Sequence, residues 1–144
     1  MSTRLREKEE KILKVLTELK EESAKGTPII VEGKKDIAAL RVLGVPGVVL
    51  SVKTGGKSFQ DAVAEIERLN APEVILFLDF DRRGIEGTIR LKQNLERVRV
   101  KSNLKFWHAL SALMGKEIQC VESLNAYLNN LKAKIGVSAR QDLY

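Results

Sequence analysis

Residues 74–84 read Val74-Ile-Leu-Phe-Leu-Asp79-Phe-Asp81-Arg-Arg-Gly84, an apolar run that ends in two aspartates at a spacing of two. The run predicts a buried β-strand, and the glycine indicates that a helix follows. Because side chains two apart on a strand point the same way, the two carboxylates should lie together and repel each other. A hard divalent cation such as Mg²⁺, which prefers oxygen ligands, would relieve that repulsion. The pattern alone therefore predicts a metal site at Asp79 and Asp81.

The alternative interpretation of this pair is that both aspartates cap the helix that begins near Ile85, where the helix dipole favours negative charge. One helix start needs one cap, which leaves the second carboxylate for another role. Arg82 and Arg83 follow directly. Their guanidinium groups are suited to hold a phosphate beside the metal.

Short β-branched or alternating runs predict three more strands, at residues 28–31, 48–52 and 98–100. Helical patterns surround them, at residues 4–23, 36–43, 58–69, 85–97, 104–114 and 121–134. Strands that alternate with helices imply crossover connections and hence a parallel sheet covered on both faces. The fold class is therefore predicted to be α/β, with a parallel sheet of about four strands between helices and with flanking N- and C-terminal helices.

Side-chain patterns also make predictions about individual helices. In residues 85–97 the apolar face is predicted to consist of Ile85, Ile89, Leu91 and Leu95. The last two helices are predicted to be capped at or near Ser102 and Glu122. The aromatic pair in residues 106–107 is predicted to pack in the core rather than to stack on bases.

Polar residues follow three of the predicted strands. Glu32 follows the first, the Lys53–Lys57 loop follows the second, and the aspartate pair follows the third. Ligands of parallel sheets bind beyond the carboxyl ends of the strands, so these groups are expected at one edge. Glu32 would there share the cation or act as a general acid or base, although an acidic loop residue alone is usually a solvated charge or a cap.

The loop Thr54-Gly-Gly-Lys57-Ser58 is similar to the end of a phosphate-binding P-loop, but Ser51 stands where that motif needs its first glycine. Hydrolysis of a nucleoside triphosphate is therefore not expected. Lys57 could still contact a nucleic-acid phosphate at the helix N-terminus. The remaining alternative is a flexible loop without a ligand.

The charge of the chain is uneven. Residues 1–81 hold 13 Lys/Arg and 14 Asp/Glu, whereas residues 82–144 hold 12 and 5. This basic second half favours a polyanionic partner such as nucleic acid over the alternative of a basic surface kept for solubility. With one cysteine and one histidine, the chain has neither an internal disulfide nor a two-histidine zinc motif. The absence of an apolar signal or membrane-spanning run predicts a cytoplasmic protein without a membrane partner.

Two motifs together resemble a known family, the Toprim domain. They are Val31-Glu32-Gly-Lys-Lys-Asp36 and Leu78-Asp79-Phe-Asp81-Arg-Arg-Gly84, which match a glutamate after the first strand and an Asp-x-Asp after the third. The resemblance spans residues 26–101, between an N-terminal helix (1–25) and a C-terminal helical extension (102–144) packed on the same domain. It is strongest to the small stand-alone, primase-like Toprim proteins of archaea.

What the resemblance implies is Mg²⁺, with Mn²⁺ as a substitute, and phosphoryl-transfer chemistry on RNA or DNA. Glu32, Asp79 and Asp81 would be the metal ligands, with Glu32 also the catalytic acid or base. The phosphate-facing cations would be Lys53, Lys57, Arg82 and Arg83.

The leading hypothesis is thus a nuclease or RNA-processing factor. Two alternatives stay open: a non-catalytic module that binds nucleic acid or a ribonucleoprotein, and primase-like nucleotidyl transfer. Topoisomerase relatives use a tyrosine outside this domain, and neither Tyr127 nor Tyr144 lies in a recognisable strand-passage domain. The zinc module of full primases is also missing, so DNA relaxation and unaided primer synthesis are not expected.

Overall fold

The computed structural model describes residues 2–53 and 58–142, and over these residues the chain forms six α-helices and four short β-strands. In chain order they are α1 (Ser2–Ala24), β1 (Ile29–Val31), α2 (Lys34–Val42), β2 (Val49–Ser51), α3 (Phe59–Arg68), β3 (Glu73–Leu76), α4 (Arg82–Arg97), β4 (Lys101–Asn103), α5 (Lys105–Met114) and α6 (Leu124–Asp142). A 3₁₀ turn, Val121–Ser123, precedes α6.

The four strands form one parallel sheet in the order β2-β1-β3-β4. Ile30 in β1 is in register with Leu50 on one side and with Leu76 on the other. The α/β class and the parallel four-stranded sheet are therefore confirmed. Because all strands run the same way, β1, β2 and β3 deliver the residues that follow them to one edge.

The sheet is buried on both faces because its side chains alternate between two apolar clusters. Ile29 and Val31 of β1 belong to one cluster, whose helical residues come from α1, α2, α5 and α6. Ile30 points to the other cluster, which is closed by α3 and α4. Strands buried on both faces read as continuous apolar runs, which is why residues 74–78 show no polar alternation.

Helix α1 buries one apolar stripe, since Ile12, Leu16 and Leu19 are all buried at helical spacing. The helix ends as expected for a glycine stop, because Gly26 has a left-handed φ of +104°. Among the described residues, no helix has both the length and the apolar character needed to cross a bilayer.

The fourth strand lies later than the sequence predicted. Val98 and Arg99 form a turn after α4, with Arg99 in the left-handed region at φ +61°, and β4 comprises Lys101–Asn103 instead. The error arose because β4 is a polar edge strand. It is held by backbone pairing with β3 and by Glu73, which accepts a hydrogen bond from Asn103 Nδ2 (3.1 Å) and pairs with Lys101 (3.6 Å).

The caps predicted at or near Ser102 and Glu122 lie at neighbouring residues. Ser102 lies within β4, and the N–H of Lys105 at the start of α5 donates instead to Asn103 Oδ1 (2.9 Å). Glu122 lies inside the 3₁₀ turn rather than at its N-cap, which is Cys120. By contrast, Ser58 caps α3 as predicted and accepts a hydrogen bond from the N–H of Asp61.

The predicted apolar face of α4 was only half right. Leu91 and Leu95 are fully buried, but Ile85 and Ile89 are exposed by 41% and 53%. The buried side is completed instead by Gly84, Gly87 and Thr88, because small residues let α4 approach the end of β3 closely. A pattern of apolar residues does not reveal close contacts that glycine makes possible because it has no side chain.

This orientation of α4 predicts unequal costs for two truncations of similar size. We expect Leu91→Ala to lower the free energy of unfolding by about 2–5 kcal/mol, because it leaves a cavity in the core. Ile89→Ala, the matched control on the exposed side, should change it by less than about 0.5 kcal/mol. Urea denaturation followed by circular dichroism measures both, and equal losses would contradict the orientation.

Candidate functional site

An open cavity of about 370 Å³ lies at the carboxyl edge of the sheet. Five acidic side chains line it: Glu32, Asp36, Asp79, Asp81 and Glu122. Four basic side chains line it too: Lys34, Lys35, Lys53 and Arg83. The fold thus brings the residues that follow β1, β2 and β3 to one place, together with part of the turn before α6.

Glu32, one residue beyond β1, is largely enclosed in this cavity, with 13% of its side chain exposed. One carboxylate oxygen accepts a hydrogen bond from Lys53 Nζ (2.6 Å), and the other accepts one from the N–H of Asp79 (3.4 Å). Burial alone would raise its pKa, but the hydrogen bonds from Lys53 and Asp79 outweigh it and lower the pKa. Glu32 is therefore held as a carboxylate.

For Asp79 the balance of these effects is reversed, and its pKa is raised. Burial, a hydrogen bond with the Glu32 carboxylate and the negative charges of Asp36 and Glu32 raise the pKa of Asp79 to about 7, against a hydrogen bond from the N–H of Val121 (3.0 Å). Two carboxyl groups thus lie close together, and Lys53 pairs with one of them, Glu32. Carboxylates in this situation favour either a proton or an added cation.

Asp81 caps helix α4, and its Oδ1 accepts a hydrogen bond from the N–H of Gly84 (2.7 Å). The capping interpretation therefore holds for Asp81 but not for Asp79. The cap engages Oδ1 and leaves Oδ2 outside that bond. Asp81 lines the same cavity as Asp79 and Glu32.

The structure places only some of the predicted phosphate-facing cations in the cavity. Lys53 and Arg83 line the cavity, as do Lys34 and Lys35, which were not among the predicted cations. Arg82 is outside the lining and pairs with Glu86 one turn along α4 (3.2 Å). Lys57, with the rest of the P-loop-like segment 54–57, lies outside the described residues.

The carboxylate oxygens of the cavity are ligands that a hard cation prefers, but among the described residues they do not form a closed cage. Across residues 2–53 and 58–142, no three carboxylate, histidine or cysteine side chains are already grouped as a metal cage. Mg²⁺ does not require such a cage, because it keeps several waters and is commonly held by one or two carboxylates plus substrate phosphates. Asp79 and Asp81 beside an open, partly basic cavity fit that kind of site.

Residues from the C-terminal part of the chain hold the aspartate segment in place. Trp107 Nε1 donates to the carbonyl of Leu78 (2.9 Å), and the N–H of Phe80 donates to the carbonyl of Gln119 (2.7 Å). Val121 completes this C-terminal clamp through its bond to Asp79. Trp107 is buried as predicted, but its hydrogen bond and the two backbone contacts have no sequence signature.

A sequence profile of the Toprim domain matches residues 26–105, and the chain belongs to the Toprim domain family. Toprim membership indicates a metal-dependent function related to nucleic acid, and Toprim domains generally bind Mg²⁺. The profile ends before the three residues of the C-terminal clamp.

Archaeal relatives match nearly the whole chain. A UPF0292 protein of Methanosarcina acetivorans is 36% identical over 138 residues, covering 95% of this chain and 93% of the relative. A UPF0292 protein of Methanocaldococcus jannaschii is 39% identical over 121 residues, covering 83% and 91%. A solved structure, a putative protein from Aquifex aeolicus, aligns with a TM-score of 0.65 at 27% identity and covers 76% of this chain and 94% of that protein.

The close approach of α4 to the aspartate segment predicts opposite behaviour for two glycines of one helix. A Cβ on Gly84 would lie 2.0 Å from the carbonyl oxygen of Asp79, so Gly84→Ala must displace the backbone at the site. We expect a loss of about 1–3 kcal/mol in unfolding free energy, typical of overpacking. Thermal and urea unfolding measure the change.

The control is Gly87→Ala, whose Cβ would meet only the side-chain ends of Leu78 (3.2 Å) and Phe59 (3.4 Å). Both variants gain about 1 kcal/mol of helix propensity, so Gly87→Ala should stay within about 1 kcal/mol of the original protein. A Gly84→Ala protein as stable as its control would show that the contact with Asp79 is not constraining.

The C-terminal clamp predicts that Trp107→Phe is costly despite its conservative shape. The change leaves the buried carbonyl of Leu78 without its donor, and we expect a loss of about 1–3 kcal/mol in unfolding free energy. Circular dichroism must follow the unfolding, because Trp107 is the only tryptophan. An unchanged denaturation midpoint would mean that the hydrogen bond does not hold the aspartate segment.

Proposed function

We propose that the protein is a Mg²⁺-dependent enzyme that cleaves phosphodiester bonds of nucleic acid, as a nuclease or RNA-processing factor. The supporting observation is the convergence of Glu32, Asp79 and Asp81 on one open cavity that four basic side chains also line. Family membership supports the metal-dependent, nucleic-acid-related part of this proposal. Because the cavity is open, a polymer backbone can lie across it.

In this proposal Asp79 and Asp81 hold Mg²⁺, with Glu32 as a further ligand or as the proton acceptor. The bound ion would supply charge neutralisation at the scissile phosphate and orient that group. Asp81 keeps its helix cap through Oδ1, which fixes its carboxylate relative to α4. The C-terminal clamp fixes Asp79 in the same way.

Lys53 is the residue that can change partners when substrate arrives. It now neutralises Glu32, yet 52% of its side chain is exposed. An incoming phosphate competes with Glu32 for the ammonium group. Transfer of Lys53 to the phosphate would leave the Glu32 carboxylate able to accept a proton from an attacking water molecule.

A non-catalytic binding module is the second candidate. It is favoured by the absence of a closed carboxylate cage among the described residues and by the ion pair that occupies Glu32. Such a module would use the same basic side chains for a nucleic acid or ribonucleoprotein, with the cation as a bridge. Its binding would fall steeply with salt, as phosphate contacts release counterions.

The double variant Asp79→Asn with Asp81→Asn tests the enzymatic proposal. Both asparagines keep an oxygen that can accept the bonds from Val121 and Gly84, so the fold should be retained while the charge needed for Mg²⁺ is lost. We expect cleavage of labelled single- or double-stranded RNA or DNA to fall to the level seen without Mg²⁺ or Mn²⁺. Glu86→Gln is the control, since it removes a carboxylate of α4 outside the cavity.

Full cleavage by the double variant would contradict the proposed metal site. If no substrate is cut with either metal, while binding persists in EDTA, the module is the better description.

A further inference from the structure

A second cavity, also of about 370 Å³, adjoins the carboxylate cavity, and Lys53 lines both. The other side chains important here are Phe59 and Gln60 at the start of α3, and Arg90 and Asn94 on α4. We call it the α3–α4 cavity. Apart from Lys53, none of these side chains takes part in the proposed cleavage.

The lining of the α3–α4 cavity is basic and aromatic. The guanidinium of Arg90 lies over the ring of Phe59, 5.2 Å from its centroid. Lys53 and Arg90 are its charged side chains, and none of its described lining residues is acidic. The carboxylate cavity next to it has one more acidic than basic side chain, so the attraction for an anion rises away from the metal site.

The aromatic ring is held before any ligand arrives. Phe59 follows the N-cap Ser58, whose side chain and that of Asp61 close a reciprocal capping box. The ring packs against the apolar cluster beneath α3 and α4, next to Gly87. A preorganised ring costs little to order on binding.

Two amide side chains, those of Gln60 and Asn94, complete the lining. Amides offer both donors and acceptors, the combination that recognises base edges. Aromatic rings and guanidinium planes are the surfaces on which unpaired bases stack. The volume lies within the range of small-molecule sites.

We propose that the α3–α4 cavity binds the base of one nucleotide in a single-stranded nucleic acid, while Lys53 guides the adjoining phosphate towards Asp79 and Asp81. The inference rests on the proposed function for the nature of the polymer and adds its form, a single strand. A base inside a duplex is stacked and paired, so its faces and edges cannot enter such a cavity without unpairing.

Binding to the full chain in EDTA, measured by fluorescence anisotropy, separates this inference from cleavage. The probes are a labelled single-stranded 12-mer of RNA or DNA, the same strand in a blunt duplex, and a matched strand with abasic sites. We expect the abasic strand and the duplex to bind at least about fivefold more weakly than the single strand, the lower end of the stacking range.

Phe59→Leu should weaken binding of the single strand by about 5- to 100-fold and leave binding of the abasic strand nearly unchanged. Phe59→Tyr, which keeps the ring, should bind the single strand about as tightly as the original protein. It is the control that separates loss of the ring from a simple folding defect. Arg97→Gln is the charge control for Arg90→Gln, because Arg97 is exposed in the last turn of α4 and outside the cavity. Arg90→Gln should weaken binding more than this control.

Equal affinity for normal and abasic strands, or an unaffected Phe59→Leu protein, would overturn the inference. So would competition by a free mononucleotide as strong as that of the 12-mer, since the cavity would then serve a small ligand. Ring-dependent binding without cleavage would reject the enzymatic proposal alone. If Phe59→Leu leaves cleavage unchanged, the proposed role of the α3–α4 cavity is rejected and the enzymatic proposal stands.

Discussion

The rest of the structure depends on residues 77–81, which leave the sheet while their backbone polar groups stay hydrogen-bonded. The N–H of Phe77 still bonds to β1 through Ile30, and the carbonyl of Leu78 and the N–H of Phe80 are taken up by Trp107 and Gln119. Buried backbone groups without partners are costly, so these bonds define one path for the chain. That path presents Asp79 and Asp81 to the same cavity although neither belongs to the assigned strand.

Along this path the two aspartates acquire different electrostatic surroundings. Asp81 lies at the N-terminus of α4, where the helix dipole and the N–H of Gly84 stabilise negative charge. Burial and the nearby carboxylate of Glu32 raise the pKa of Asp79 and make a second positive partner favourable. Lys53 carries one positive charge and pairs with Glu32, so it offsets only part of this negative charge. In the proposed function, the site would exchange this internal ion pair for an external cation and a substrate phosphate.

The sequence predicted the sheet, the family and the shared edge because these follow from local pattern. Apolar runs between helices identify buried strands, and parallel strands place Glu32 and the aspartates at one end. It missed β4 because a polar edge strand carries no apolar run, and it misoriented α4 because two glycines, not two isoleucines, face the sheet. The C-terminal clamp was missed because each of its bonds uses a backbone group and joins residues far apart in the chain.

The C-terminal part of the chain contacts the candidate site as well as covering the core. Trp107, Gln119 and Val121 lie beyond the matched residues 26–105, yet each bonds to the segment 78–80. The same part of the chain packs on α1 and contributes buried residues to the larger apolar cluster. We therefore expect any loosening of α5 or of the turn before α6 to shift Asp79. The stability of the C-terminal helices and the geometry of the carboxylates therefore depend on the same hydrogen bonds.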